Sequence, residues 1–332
     1  MKPLLAALIR KRAAWRLNPD GTLDTTFNPS THGFTYCMVV QPDGAILVGG
    51  DAIGSDIAQG SALVRFHPDG SLDEGFKAAI PYPGLVFSIA LQANGKMIIG
   101  GHLTDVSGVS RTNLARLDPD GSLDPTFNPG VGSDSWEVDS LALQADGNVV
   151  VTGPFTTLAG QKSFDSGRLL NNEPAVQYLT FDGSTVSWTR GGSAPEVWRA
   201  TFEYSPDGIS WTNLGEATRE PGGWEMTGLS LPATGRIRAR GYTTGGYGNG
   251  SSWFVESLWP PALVISNARV STSGQVQLEA SGPSGQTVVL ESSPDLKTWI
   301  PVGTNTLLSG ATPLIDPQPA QSLMRFYRLH LK

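Results

Sequence analysis

A twelve-residue motif that occurs three times constrains this chain more than any other feature of its sequence. It reads R-L-N-P-D-G-T-L-D-T-T-F at Arg16–Phe27, R-F-H-P-D-G-S-L-D-E-G-F at Arg65–Phe76 and R-L-D-P-D-G-S-L-D-P-T-F at Arg116–Phe127. We call it the long motif. Its opening arginines, followed by Arg168, are 49, 51 and 52 residues apart. Such a period is typical of a β-propeller blade or a similar repeat unit.

Each copy of the long motif contains the residues of a hairpin turn. In the third copy Asp118 opens the turn, a proline presets φ, and Gly121 takes the left-handed conformation that closes a bulged hairpin. A short motif, Q-P-D-G, Q-A-N-G or Q-A-D-G, recurs at Gln41, Gln92 and Gln144 and predicts the second hairpin of each repeat. The aspartates are therefore interpreted first as turn residues.

Four short strands are predicted in each repeat. In the middle repeat they are Val86–Leu91, Lys96–Gly100, Asn113–Leu117 and Ser122–Phe127. The 40 glycines and 24 prolines, with 16% charged residues, also favour an all-β chain with many turns. Because closed propellers have roughly four to eight blades, three four-stranded repeats predict a partial or open propeller-type array.

The full pattern is R-L-x-P-D-G-x-L-D-x-x-F, then V-x-x-[ILV]-A-L-Q-x-D-G-[KN]-[ILV]-[ILV]-[ILV]-[GT]-G. Over about Ala14–Arg168 it resembles the delta-60 repeat family. The resemblance implies a β-propeller and a bacterial protein that is secreted or surface-associated, and it implies no catalytic residues.

The array begins inside a blade, and three explanations stay open. The chain is a fragment of a longer protein, which we favour and which would place a signal peptide upstream. Alternatively, the array is open and capped by the following domain, or arcs from several chains close a ring by self-association of their open edges.

The second half of the chain has a different amino-acid composition, which is rich in tryptophan and threonine. Its short strand candidates predict a β-sandwich module at 171–259 and a smaller one at 260–332, after a repeat array at 1–170. A linker is predicted at 171–174.

The two modules share a match without gaps. Residues 205–215, S-P-D-G-I-S-W-T-N-L-G, align with residues 293–303, S-P-D-L-K-T-W-I-P-V-G. We interpret it as one hairpin in two related modules, whose tryptophan packs on the sandwich. The sequence pattern of residues 205–215 resembles a fibronectin type III-like hairpin.

A calcium site is the alternative to the turn interpretation of the aspartates. Asp118, Asp120 and Asp124 are spaced somewhat like a calcium loop. The other copies, however, have Asn18 and His67 in place of Asp118, and no glutamate closes the loop. Turn chemistry is therefore favoured, and no metal or cofactor is predicted.

The loop Tyr242–Trp253, Y-T-T-G-G-Y-G-N-G-S-S-W, is the strongest candidate for ligand binding. Tyr242, Tyr247, Asn249 and Trp253 combine rings that stack with an amide that hydrogen-bonds, which suits a sugar or a peptide. The alternative is a long sandwich loop in which Trp253 only begins the next strand.

The net charge and the sequence motifs limit the classes of function that this chain can have. A net charge of −7 over 332 residues argues against a nucleic-acid partner. No segment is long and apolar enough to span a membrane, and the single cysteine, Cys37, allows no intrachain disulfide. We predict a non-catalytic extracellular or cell-surface protein that recognises polysaccharide or protein. The alternative is a propeller-type glycoside hydrolase or lyase with carbohydrate-binding appendages.

Overall fold

The computed structural model describes most of the chain. The described residues are 16, 18, 20–27, 29, 33–53, 60–132, 137–232, 235–243, 254–259, 263–272, 274–282, 287–308, 311–319 and 325–331. Over these ranges the chain forms strands, turns and bends, and the predicted all-β class is confirmed. A search of the described ranges for a helix with the length and hydropathy to cross a membrane finds none.

Short antiparallel strands build the repeat half. Their bounds are β1 (Thr35–Val40), β2 (Ile46–Ile53), β3 (Ser61–Phe66), β4 (Leu85–Leu91), β5 (Met97–His102), β6 (Asp105–Val106), β7 (Val109–Ser110), β8 (Leu114–Leu117), β9 (Val131–Gly132), β10 (Ser140–Leu143), β11 (Val149–Thr152), β12 (Thr157–Leu158), β13 (Gln161–Lys162) and β14 (Ser166–Leu169). Three of the groupings are equivalent, namely β1-β2-β3, β4-β5-β8 and β10-β11-β14. One residue pair, Asp51 with Leu85, joins the first grouping to the second.

Register shows that the three groupings are copies of one unit. In each, an arginine of the repeat lies opposite an aliphatic residue of the central strand: Arg65 opposite Leu47, Arg116 opposite Ile98 and Arg168 opposite Val150. Apolar cores fill the space between neighbouring copies. Ile89 and Ile99 are buried with side chains of the first copy, and Ile98 is buried with side chains of the third. Stacking of copies therefore buries the strand faces, as expected for a repeat array.

Two details differ from the sequence prediction. The fourth strand expected at Ser122–Phe127 is reduced to a single bridge between Leu117 and Leu123. Pro125 lacks an N–H, and the Asp124 carboxylate accepts the amide of Thr126, so the chain turns away instead of pairing. The small hairpin β6-β7 and the small sheet β13-β12-β9 were not predicted.

Two four-stranded sheets follow the array, and we call them the first sheet pair. Their strands are β15 (Ala175–Phe181), β16 (Val186–Gly192), β17 (Val197–Ser205), β18 (Thr212–Glu216), β19 (Thr218–Glu220), β20 (Gly223–Met226), β21 (Arg236–Thr243) and β22 (Phe254–Trp259). The sheet orders are β15-β16-β20-β19 and β18-β17-β21-β22. One core joins them, with Trp188 and Phe202 fully buried at its centre.

The second sheet pair has two three-stranded sheets. Its strands are β23 (Val264–Val270), β24 (Gln275–Ser281), β25 (Thr287–Ser293), β26 (Ile300–Thr306), β27 (Thr312–Pro319) and β28 (Phe326–Leu331). The sheet orders are β23-β24-β27 and β26-β25-β28. β27, which contains prolines, was not predicted. It forms at a sheet edge, where a residue without an N–H is tolerated.

The segment expected to be a linker is part of the array's contact pattern. Asn171 follows Arg168 by three residues, which is the position of the turn proline in each long motif. Arg116 donates to the Asn171 side-chain oxygen at 2.9 Å and to that of Asn172 at 3.0 Å. These asparagines therefore replace the next copy of the turn.

Backbone pairing extends the junction into the first sheet pair. The amide of Ala93 donates to the Ala194 carbonyl at 2.7 Å, and the amide of Glu196 donates to the Leu91 carbonyl at 2.8 Å. The short-motif turn between β4 and β5 is thus paired with the connection between β16 and β17.

Candidate functional site

The arginine of the long motif is held by two residues of its own copy. In the third copy, Arg116 Nε donates to Asp124 Oδ2 at 2.8 Å, and the guanidinium carbon lies 4.9 Å from the centre of the Phe127 ring. These two distances are 2.9 and 4.8 Å in the first copy and 2.7 and 4.6 Å in the second. Arginine, aspartate and phenylalanine therefore recur as one structural unit.

The same arginine also ties each copy to the next. Arg65 Nη1 donates to the carbonyl of Pro119 at 2.6 Å, and Arg16 Nη1 donates to the carbonyl of Pro68. Gly95 of the short motif lies against the Pro119 ring, where a Cβ would be only 3.2 Å from Cγ. The turn of the long motif is therefore a contact point between copies, and the short motif packs against that turn.

Lysines neutralise the carboxylates that were considered for calcium. Lys96 Nζ lies 3.4 Å from Asp118 Oδ1 and 2.7 Å from Asp124 Oδ2, and Lys77 Nζ lies 2.6 Å from Asp120 Oδ2. The hydrogen bond from Lys77 is the largest cause that holds the pKa of Asp120 well below its usual range. Within the described ranges, no group of three or more His, Cys, Asp and Glu side chains is arranged to hold a metal. The geometry favours the turn interpretation.

The aspartate of the S-P-D sequence closes the same turn in both sheet pairs. Asp207 Oδ1 accepts two backbone amides at 2.8 Å, and Asp295 Oδ1 accepts the equivalent amides at 2.9 and 2.8 Å. The two turns share their hydrogen-bonding pattern, in agreement with the sequence match.

The tryptophan after this turn stacks on an arginine that bridges to a glutamate. Arg238 donates to Glu203 at 2.6 Å, and its guanidinium lies 4.3 Å from the centre of a Trp211 ring. The same two distances recur for Arg328 with Glu291 and Trp299. Both tryptophans lie outside the buried apolar clusters, so they pack on a sheet through the arginine rather than in its core.

Exposed aromatic side chains gather at one end of the sheet β18-β17-β21-β22. The register of β17 on β21 shifts between Val197 and Arg199, which is a β-bulge, and a bulge re-aims the side chains around it. The Arg199 guanidinium lies 4.2 Å from the Tyr242 ring centre and 5.6 Å from that of Trp198. The Trp198 and Tyr242 rings are 6.4 Å apart.

Phe254 extends this cluster on the neighbouring strand. It lies opposite Tyr242 in the register of β21 with β22, and Arg240 stacks on its ring at 4.7 Å. Trp198 and Phe254 remain 49% and 47% exposed. We call Trp198, Arg199, Tyr242 and Phe254 the exposed cluster. Aromatic rings in solvent on a rigid sheet are suited to stacking against a ligand.

Of the four residues predicted to bind a ligand, one lies within the described part of the chain. Tyr242 belongs to the exposed cluster, whereas Tyr247, Asn249 and Trp253 lie outside the described residues. Trp198, Arg199 and Phe254 were not predicted. The sequence feature that could have indicated Trp198 and Arg199 is a W-R pair at the start of a strand in which buried and outward side chains otherwise alternate. The pairing of β17 with β21 then brings these two residues to Tyr242.

A known protein family matches part of the chain. Its model matches residues 11–27, 41–76 and 92–127, which include the long motifs and two of the short motifs. It is described as a β-propeller domain of unknown function (DUF5122). The matched segments cover about a quarter of the chain, all of it in the repeat half.

Other comparisons add little. No curated protein matches the chain. Among solved structures, a chain titled "Crystal structure of tetra-tandem repeat in extending region of large adhesion protein" is similar at 15% identity, with 87% of this chain and 84% of that chain covered. Its TM-score is 0.19, so this likeness carries no argument about fold or function.

Proposed function

We propose that this is a non-catalytic binding protein of the cell surface or extracellular space, which recognises polysaccharide through the exposed cluster. The observation that carries the proposal is the pair of outward rings, Trp198 and Tyr242, with the Arg199 guanidinium close to both on a sheet face. Rings of this kind offer a large apolar contact at a small cost in conformational entropy. A protein ligand is the alternative occupant.

The repeat array serves as a scaffold in this proposal. The arginine, aspartate and phenylalanine of each long motif contact one another or the next copy. None of these groups is left over to act on a ligand. The hydrolase or lyase alternative therefore gains no support from the repeated aspartates.

The proposal divides the chain at the boundaries expected from the sequence. Residues 1–170 form a propeller-type array of the delta-60 kind, and residues 171–259 and 260–332 form two fibronectin type III-like sandwiches. The sheet orders and the shared Glu-Arg-Trp arrangement support two related modules. Secretion by a bacterium belongs to the same proposal.

In this proposal, self-association through array edges uses the edge formed by the first long motif. The turn glycine of the first copy, Gly21, is exposed, whereas Gly70 and Gly121 are buried at the equivalent turns. The opposite edge contacts the first sheet pair. An added repeat would therefore dock against the first copy.

A binding assay with matched variants tests the proposed function. Wild-type protein is applied to a glycan array and to immobilised polysaccharides, beside Trp198→Ala and Trp299→Ala. The second variant is the control, because Trp299 also stacks on an arginine but lies in the other sheet pair. We expect binding by the wild type and the control, and loss of binding by Trp198→Ala. Equal binding by both variants, or no glycan binding by the wild type, would refute the proposal.

A further inference from the structure

The charges on the outer sheet face are unequally neutralised. Arg238 donates to Glu203 at 2.6 Å, and Arg240 donates to Glu256 through two nitrogens at 2.9 and 2.8 Å. Both arginines therefore have a close carboxylate partner on an adjacent strand. Cross-strand pairs of this type hold a guanidinium in place and occupy its charge.

Arg199, the third arginine of this face, is paired more weakly. Its nearest carboxylate within the described residues is Glu216, at 3.5 Å, and that glutamate side chain is 69% exposed. The Arg199 side chain is 36% exposed, but its Nε is buried and has no hydrogen-bond acceptor among the described residues, so a ligand would contact the terminal nitrogens. An exposed partner at this distance contributes little, since water competes for both charges. Arg199 thus remains able to accept a further anionic group.

The surroundings of Arg199 select the kind of anion. Its guanidinium is stacked at 4.2 Å on the Tyr242 ring, which fixes its plane, and Trp198 lies beside it with 49% of its surface exposed. A planar guanidinium recognises a carboxylate through two parallel hydrogen bonds. A neighbouring exposed ring offers an apolar surface to the face of a sugar.

We infer that the exposed cluster is a binding site for a carboxylate-bearing sugar, such as a uronic acid unit of an acidic polysaccharide. Trp198 contacts the pyranose ring, and Arg199 binds the carboxylate. This inference rests on the proposed function and adds the ligand's charge to it. The bulge between Val197 and Arg199 is the local device that creates the site, because it brings consecutive side chains to the same group of rings.

The test compares one sugar chain with and without its charge. Binding of oligogalacturonate and of its fully methyl-esterified form is measured by calorimetry. The proteins are the wild type, Arg199→Gln, Trp198→Ala and the control Arg328→Gln. Arg328 has the same stacking on a tryptophan, but it lies in the second sheet pair. Thermal unfolding of each variant shows that the fold is retained.

We expect the wild type and Arg328→Gln to prefer the charged ligand by about tenfold, the value of one charge-assisted contact. Arg199→Gln binds both ligands alike, at the affinity of the ester. Trp198→Ala loses both. The preference of the wild type decreases as salt is added.

The outcomes separate the two proposals. Equal affinity of the wild type for acid and ester overturns the carboxylate inference and leaves sugar binding standing. A preference for the acid that persists in Arg199→Gln also overturns it. Binding of neither ligand, with glycan binding found elsewhere on the array of sugars, removes uronic acid as the ligand. Binding of no glycan removes the proposed function as well.

Discussion

The cost of removing an arginine from the long motif is expected to depend on its burial. Arg116 has no exposed side-chain surface, and its partner Asp124 is 3% exposed. In the second copy the equivalent side chains, Arg65 and Asp73, are 18% and 15% exposed. Substitution by methionine keeps much of the aliphatic stem in both positions and removes the charge.

The two variants therefore differ mainly in what happens to the remaining carboxylate. Loss of Arg116 leaves Asp124 buried, and such losses cost about 3–5 kcal/mol. Lys96 still contacts Asp124 at 2.7 Å, so we expect the lower end, about 3 kcal/mol. Water reaches Asp73 after loss of Arg65, so that variant is expected to cost about 1 kcal/mol, including the lost ring contact.

Hydrogen exchange read by mass spectrometry measures this difference locally. Seven of the nine tryptophans follow residue 170 in the sequence, so tryptophan fluorescence reports mainly on the second half of the chain. Peptides covering β5 and β8 report on Arg116→Met, and peptides covering β2 and β3 report on Arg65→Met. Urea unfolding followed by far-ultraviolet circular dichroism gives the global free energy. Equal destabilisation by the two variants would refute the argument from burial.

Lowering the pH should reduce the difference in free energy of unfolding between the wild type and Arg116→Met. Burial alone would raise the pKa of Asp124, but hydrogen bonds from Lys96 and Thr126 and the charge of Arg116 outweigh it, so the pKa lies well below its usual range. A depressed folded pKa gives stability that is present above the unfolded value, about 3.9, and is lost as pH falls through the folded pKa. An increase in this free-energy difference below about pH 4 would contradict the expected pH dependence.

Three further predictions concern single positions. Gly121→Ala should destabilise the protein more than Gly108→Ala in urea unfolding, because both have positive φ but only at Gly121 would a Cβ lie 2.7 Å from a phenylalanine ring. An equal effect would show that strain alone acts. Cys37 should react with an aromatic disulfide reagent only on unfolding, since burial raises the pKa of its thiol; rapid labelling of the folded protein would contradict this. Backbone amides of its own turn hold the pKa of Asp207 at about 2, so a carboxyl carbon NMR titration should show a midpoint near that value rather than in the ordinary range.

Much of the array could be predicted because its information is local. Turn residues such as Asp118 and Gly121 act within four positions of the chain, and strand residues such as Ile89 and Ile99 follow a pattern that any copy repeats. The sequence match between the two S-P-D turns is of the same kind. Their hydrogen bonds join residues two and three positions apart.

The exposed cluster could be predicted only in part. Tyr242 was proposed as a ligand-binding residue, and its ring lies in the exposed cluster. Trp198 precedes Tyr242 by 44 positions in the sequence, and their meeting depends on the pairing of β17 with β21 and on the bulge in that pairing. Neither the register nor the bulge has a strong signal in single residues.

The sequence alone determined the all-β class, the repeat period and the turns, because these follow from backbone preferences and from side chains close together along the chain. The tertiary structure decided which charged side chains are buried in ion pairs and which remain partly exposed to solvent. The repeated arginines look alike in sequence, yet Arg116 is buried against the segment that replaces the next turn, whereas Arg16 and Arg65 bind a further copy. Among the described carboxylates, Arg199 is paired only with Glu216, at 3.5 Å and with 69% of that side chain exposed. Burial and cross-strand partners are properties of the assembled chain, and they decide whether a charge stabilises the fold or meets a ligand.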